Sequence, residues 1–250
     1  MQNLKDIREK IMLPFIKLDF NEEKHVYFVD NKPLKASVSK LISKFYKKFP
    51  AKQKAKEIAE GNTRTGAVNK YTGMSTKEIL DQWKEINLES TTRGTRVHEF
   101  GELYPFNRSL KPRCKQEEAV KKFWDEMPSH IIPVTMELRM YHFKKMFAGT
   151  ADIILYDTKR EEYIIADYKT NNDLFKNHQG QKMLAPFQYL LDTPFSHYEL
   201  QLSYYQIMLE QTGVPVSRRI IVYLQKDGEY KMFDTKNLTE PIKEIINSYD

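Results

Sequence analysis

The stretch from Gly149 to Thr170 limits what this chain can become more than any other. Two apolar runs, Ala151 to Tyr156 and Tyr163 to Ala166, flank a charged turn and are rich in Ile and Tyr. Each is too short for a stable helix, so the pattern predicts a hairpin of two largely buried strands. Asp152, Asp167 and Lys169 lie within this apolar setting. Burying a carboxylate is costly unless it is paired or holds a metal. Side chains two apart on a strand share a face, which puts Lys169 beside Asp167. Two readings follow: a divalent-metal site with a cation next to it, or structural pairing, with Asp167 tied to Lys169 and Asp152 to an arginine.

The surrounding chain predicts one α/β domain over residues 1–250, with a central mixed β-sheet flanked by helices. Its N-terminal region, 1–60, reads as a short basic helix or arm to residue 22, then a strand from His25 to Val29. A turn at Asp30 and Asn31, a second short strand, and a helix opening at Ser37 to Ser39 and ended by Pro50 follow. Lys47, Lys48, Lys52 and Lys54 form a basic cluster that suits either a solvated face or contact with a polyanion. Residues 61–74 read as a loop.

The core, 94–205, is preceded by a helix opened by the capping box Ser75 to Glu78. A polar break at Ser90 to Gly94 and a second helix from Thr95 come next. On that helix Val97, Phe100 and Tyr104 form an apolar stripe, with His98 and Glu102 one turn apart on an adjoining face. Gln116 to Met127 is amphipathic, and Ile132 to Met140 reads as a strand with Glu137 near its middle. The polar connection from Thr170 to about Tyr198 is long enough to suggest a lid or binding loop. Glu199 to Gln211 reads as a helix. Residues 206–250 add a hairpin around Lys226, Asp227 and Gly228 and a helix from Thr239 to Tyr249.

Charge and cysteine usage narrow the setting. Lys and Arg total 40 against 34 Asp and Glu, a net charge of +6 that favours a polyanionic partner. Cys114 is the only cysteine, so neither a disulfide nor a four-cysteine cluster can form within one chain, and a reducing compartment is expected. The first residues carry acids at Asp6 and Glu9 and no small-residue cleavage site, unlike a signal peptide. No apolar run approaches the ~18 residues needed to span a bilayer, and no sequence feature announces an oligomer interface.

The chemistry these residues suit is phosphodiester hydrolysis. Mg²⁺ or Mn²⁺ needs only two or three carboxylates, since it keeps several waters. Asp152 and Asp167 supply two, Glu137 a third, and the Tyr168 carbonyl a further oxygen. Lys169 can orient the water, act as a base if its pKa falls, or stabilise charge on the phosphoryl oxygens.

At this level the chain resembles the PD-(D/E)XK nuclease superfamily, closest to its RecB-like and phage-exonuclease branch. The resemblance rests on four motifs in order across residues 94–205. These are Gly94-Thr95-Arg96-Val97-His98, Gly149 through Asp152, Asp167-Tyr168-Lys169-Thr170, and Gln201 through Tyr205. A weaker match over His25 to Ser39 extends it towards the N-terminus.

The resemblance implies a restriction-endonuclease-like core with Asp152 and Asp167 as metal ligands, Lys169 as the catalytic lysine and His98 as a further ligand. Gln201, Tyr205, Thr170, Arg93 and Arg96 would contact substrate. The function implied is a Mg²⁺- or Mn²⁺-dependent DNA exonuclease of phage replication or recombination, working in the host cytoplasm. Two alternatives stand beside it: a structure- or site-specific endonuclease of the same fold, and a catalytically silent nucleic-acid-binding protein.

Overall fold

A computed structural model describes residues 3–24, 26–65 and 68–248. His25 and Tyr249, the outer residues of two expected elements, lie outside them. The chain falls into two compact units, one of residues 1–46 with 98–250, the other of Lys47–Val97, which the sequence reading did not set apart.

In chain order the elements begin with α1 (Leu4–Met12), β1 (Leu18–Asn21), β2 (Val26–Val29), β3 (Lys32–Pro33), β4 (Ala36–Ser37) and α2 (Val38–Ile42). Then come α3 (Ala51–Thr65), α4 (Thr76–Leu103), α5 (Lys115–Asp125), β5 (Ile131–Tyr141), β6 (Phe147–Asp157) and β7 (Glu162–Lys169). The chain closes with α6 (Pro194–Glu210), β8 (Val216–Leu224), β9 (Tyr230–Asp234) and α7 (Thr239–Ser248). No helix among the described residues is long and apolar enough to cross a membrane.

In the smaller unit the capping box forms as its spacing requires. The Ser75 N–H donates to Glu78 Oε2 at 2.7 Å, and the Glu78 N–H donates back to Ser75 Oγ at 3.3 Å. Two expectations fail here. The loop expected over 61–74 begins late, because 61–65 continue α3 for a last turn. That turn follows a stretch of Ala, Lys, Gln and Glu, strong helix formers supported on the exposed face by the Lys54–Glu57 and Lys56–Glu60 pairs. The expected break at Ser90 to Gly94 is absent, and α4 runs unbroken for 28 residues. Thr91 Oγ1 donates back to the Asn87 carbonyl at 2.9 Å, so one of the polar side chains is satisfied without leaving the helix.

The larger unit contains an antiparallel sheet β1-β2-β3 and a mixed six-stranded sheet. Asp30 and Asn31, at φ 50° and 63°, make the tight turn between β2 and β3. In the larger sheet β6 pairs antiparallel with β5 along one edge. On its other edge it pairs first with β4, in parallel, and then with β7. β7 pairs in parallel with β8, and β8 antiparallel with β9. Gly228, at φ 96°, turns the last hairpin. Ile7 and Ile11 of α1, Leu200 and Met208 of α6 and Ile242 of α7 bury with Ile154 and Ile165 of the sheet in one core. This is an α/β architecture with a mixed sheet flanked by helices.

The ladder between β6 and β7 ends at Ile153 and Ala166. Beyond that pair β7 continues alongside β8 to Lys169, while β6 leads back to β4 at Phe147 and Ala148. Two residues further along β7, the Tyr168 N–H is taken by a side chain instead: Asp152 Oδ2 accepts it at 3.0 Å. The two strands fork, and Asp152 and Asp167 stand at the fork.

Candidate metal centre

Four elements deliver side chains to the fork. His98 comes from α4, Glu137 from β5, Asp152 from β6, and Asp167 and Lys169 from β7. One ligand atom each of His98, Glu137 and Asp152 lies within 4.8 Å of the others. His98 Nδ1 is 3.1 Å from Asp152 Oδ2. Lys169 is ion-paired with Asp167 Oδ2, while the equally buried Asp167 Oδ1 has no hydrogen-bond partner. An orphaned carboxylate oxygen beside three clustered ligand atoms is a donor set that fits a hard divalent cation.

Glu137 reaches this position through an unusual backbone. Its φ is 50°, a left-handed conformation uncommon for a residue with a Cβ, and it sits between the pairs Met136–Ile153 and Leu138–Ala151 without a ladder partner. Such strain, about 1–3 kcal/mol, persists where surrounding structure over-determines it, commonly at functional sites.

The electrostatics are those of too many acids in one place. Burial, and next the Asp152 charge, push Glu137 up to about 7. Glu102, exposed on α4, adds to that rise. Burial and Asp152 likewise push Asp167 up to about 6. Asp152 is held low despite its burial, because His98, Lys169 and the Tyr168 N–H all favour its ionised form. Burial pulls His98 down, but Asp152 outweighs it and leaves the imidazole raised. Burial also opposes the Lys169 charge, yet Asp167 and Asp152 together raise it further. The Lys169 ammonium therefore acts on Asp167 and Asp152, while Glu137 and Asp167 both resist ionisation.

The helix bearing His98 is seated by Gly101. A Cβ built there would lie 2.5 Å from Cε2 of Tyr168, whose ring is buried and whose hydroxyl accepts from Trp124 Nε1 at 2.6 Å. Gly→Ala within an exposed helix interior normally stabilises by ~1 kcal/mol. Here Gly101→Ala is expected to cost about 1–3 kcal/mol in chemical denaturation, because neither ring nor helix can yield freely. A gain in stability would show that the contact is not tight.

Gly149 serves a similar purpose on the other side. A Cβ there would stand 2.6 Å from the ring of Tyr205, which hydrogen-bonds through its hydroxyl to Gln201 Nε2 at 2.8 Å. Burial and then the Asp167 charge raise the Tyr205 phenol well above its usual value, which places this ring near the acids. Gln201 and Tyr205 thus meet on one face of α6. The Tyr168 N–H points to Asp152, and the carbonyl of the same strand residue faces the same edge. The Thr170 carbonyl accepts from Gln116 Nε2 at 3.4 Å, so the described contact of Thr170 is through its backbone. Arg93 and Arg96 lie on α4 within the smaller unit.

Two residues were missed. The Lys169 ammonium sits 4.2 Å from the Tyr198 ring centroid, a cation–π contact. Tyr198 OH donates to Asn171 Oδ1 at 2.8 Å. It lies three residues before Gln201 and seven before Tyr205, a helical stripe. The expected helix start at Glu199 left it out, whereas α6 begins at Pro194, capped by Thr193 Oγ1 accepting from the Ser196 N–H. Tyr27 on β2 is the second, its hydroxyl 3.0 Å from Thr150 Oγ1, two residues from Asp152.

A scan of known protein families found none that matches this chain, and a search of curated proteins found no relative.

Proposed function

We propose that this chain is a divalent-metal-dependent nuclease of restriction-endonuclease-like fold that hydrolyses DNA from its ends, in phage replication or recombination. The observation that carries the proposal is the convergence of His98, Glu137 and Asp152 at the fork of β6 and β7, with the Asp167–Lys169 pair alongside. Purely structural pairing accounts for Lys169 and Asp167. It leaves Glu137 strained and next to Asp152, with no lysine or arginine paired to it among the described residues.

His98, Asp152, Glu137 and Asp167 would hold Mg²⁺ or Mn²⁺, with the Tyr168 carbonyl on the same edge. When bound, such an ion acidifies water and stabilises charge on phosphoryl oxygens. Asp152 fixes the His98 ring through Nδ1 and is itself fixed by the Tyr168 N–H. Lys169 is held between Asp167 and the Tyr198 ring, a charged donor available to the oxygens on which negative charge develops. The same pairing argues against Lys169 as a base, since both carboxylates favour its protonated form. Gln201 and Tyr205 form a rigid pair flanking the acids. The net charge of +6 draws a polyanion towards the protein.

The test is digestion of linear DNA and of the same DNA as a covalently closed circle, with Mg²⁺, with Mn²⁺ and with EDTA. The expected result is metal-dependent loss of the linear form from its ends, with the circle intact. Opening of the circle would move the assignment to an endonuclease. Binding without cleavage of either form would make the protein a silent nucleic-acid binder.

A further inference from the structure

A groove of about 480 Å³ lies between the N-terminal segment and β5, and a proposed metal ligand is part of its wall. Arg8, Met12, Leu13 and Ile16 line it from the N-terminal segment, and Glu137 and Arg139 line it from β5. Its other acid, Glu9, is paired with Lys5 at 3.7 Å. Neither Arg8 nor Arg139 has a carboxylate partner among the described residues. Both guanidinium groups are held by other means. Arg8 Nε donates to the Val134 carbonyl at 2.7 Å, and the Arg8 guanidinium lies 5.7 Å from the Phe106 ring centre. That of Arg139 lies 5.4 Å from the ring centre of Phe20.

The β5–β6 ladder ties Arg139 to the fork. Arg139 is paired in register with Thr150, which precedes Asp152 by two residues on β6, a step of about 7 Å. The Tyr27 hydroxyl is bonded to Thr150 and reports on the same neighbourhood. Burial raises that phenol, and Arg139 and Glu137 act on it in opposite senses, so both charges stand near one ring.

Guanidinium groups that are held in place and lack acid partners suit phosphate, whose oxygens match their planar fork. The apolar part of the lining is open as well: Met12 is 44% exposed, Leu13 55% and Ile16 74%. Bases stacked inside a duplex hide their faces, whereas an unpaired strand offers them to side chains beside a positive groove. The volume lies in the ~300–1,000 Å³ range of sites that hold a small ligand, room for a short piece of one strand.

We infer that this groove seats the unpaired strand flanking the scissile bond, with phosphates on Arg8 and Arg139 and bases against Met12, Leu13 and Ile16. The inference rests on the nuclease reading and deepens it, because it names the substrate as DNA with a single-stranded end. An acidic peptide would also satisfy the arginines. A phosphodiester strand is favoured because Glu137 and the Arg139–Thr150 pair set the groove directly beside the proposed hydrolytic centre.

The test is binding of a fluorescein-labelled single-stranded 20-mer, and of the corresponding blunt duplex, in EDTA over 50–200 mM salt. Arg8→Gln/Arg139→Gln is compared with Lys111→Gln/Lys226→Gln, which removes the same charge at exposed positions elsewhere. The unaltered protein is expected to hold the single strand more tightly than the duplex. The arginine variant should bind the single strand at least about tenfold more weakly, with a salt slope shallower by about 1.4, while the control changes little. Ile16→Ser should weaken single-strand binding a few-fold and spare the duplex. Should loss of the Arg8 bond to Val134 lower thermal stability, Arg139→Gln alone decides, with a slope shallower by about 0.7. Equal losses in the arginine and control variants, or none in either, would overturn the inference while digestion with Mg²⁺ still upheld the nuclease. Duplex binding as tight as single-strand binding would overturn the unpaired strand as occupant. An acidic peptide held through the two arginines, with DNA binding unaffected, would overturn it in favour of a protein partner. Failure of the unaltered protein to cut DNA with Mg²⁺ or Mn²⁺ would remove the nuclease reading and the inference with it.

Discussion

Asp152→Ala is expected to abolish metal-dependent DNA hydrolysis, a loss of about 10³-fold or more, and with it calorimetric binding of Mn²⁺. The size follows from the position. Among the described residues Asp152 is the acid paired with His98, and its charge is the chief electrostatic influence on both Glu137 and Asp167. Metal-ion charge stabilisation supplies several kcal/mol, and each 1.36 kcal/mol is tenfold in rate. The variant also strands the Tyr168 N–H, a cost of about 1–3 kcal/mol. Relief of like-charge repulsion at Glu137 and Asp167 offsets part of it.

Asp152→Asn separates these effects. Its amide oxygen can still accept from Tyr168, so stability should largely return while metal binding and hydrolysis stay lost. Full hydrolysis in either variant would refute the metal centre. Lys169→Met makes the complementary case: Mn²⁺ binding is retained and the rate falls about 10²–10³-fold, the usual consequence of removing one donor from developing charge.

The second large effect is on stability against pH. Glu137 is raised to about 7 and Asp167 to about 6, so the folded state holds those protons more tightly than the unfolded chain does. The stability they contribute is fully present below the unfolded carboxylate range near 4 and is lost as pH rises through about 6 to 7. His98, also raised, acts in the same direction: its contribution is present below the ordinary histidine value and lost as pH rises through the folded one. Asp152, held low, acts oppositely, but only at acid pH. Metal-free protein should therefore melt at a lower temperature at pH 8 than at pH 6, a loss on the order of 2 kcal/mol or more.

On the proposed metal centre Mn²⁺ should reverse that loss, because it would bind the ionised carboxylates and stabilise the fold by mass action. The shift in Tm on adding Mn²⁺ should be larger at pH 8 than at pH 6. Glu137→Gln removes one source of repulsion. In EDTA at pH 8 it should be more stable than the unaltered chain, with a flatter pH dependence and a smaller Mn²⁺ response. A metal-free Tm that does not fall between pH 6 and 8, or a Glu137→Gln variant with unchanged slope, would contradict the crowded-acid account.

Much of the fold can be read in the residues themselves. The hairpin of β6 and β7 follows from dense Ile and Tyr broken by a charged turn. The cap of α4 follows from Ser75 and Glu78, and the last hairpin from Gly228. These are local effects, decided within a few residues by side-chain shape and backbone preference. The expectations that failed were also local, but weaker. Polar residues at Ser90 to Gly94 do not end a helix that their neighbours favour, and Thr193 moved the start of α6 far enough to hide Tyr198.

The sequence alone determined which chemical groups were present, and the alternation of β7 put Lys169 on the side of Asp167. Whether those groups meet was decided only by tertiary structure. His98 is brought to Asp152 because Gly101 lets α4 lie flush on Tyr168. Glu137 joins them because its backbone turns left-handed opposite the point where β6 and β7 separate. Neither event is written in a local preference, since a glycine in a helix and a left-handed glutamate are both locally unfavourable. Each is sustained by contacts between residues far apart in the chain, and that is why the sequence could name candidate ligands while only the tertiary structure could show that His98, Glu137 and Asp152 meet.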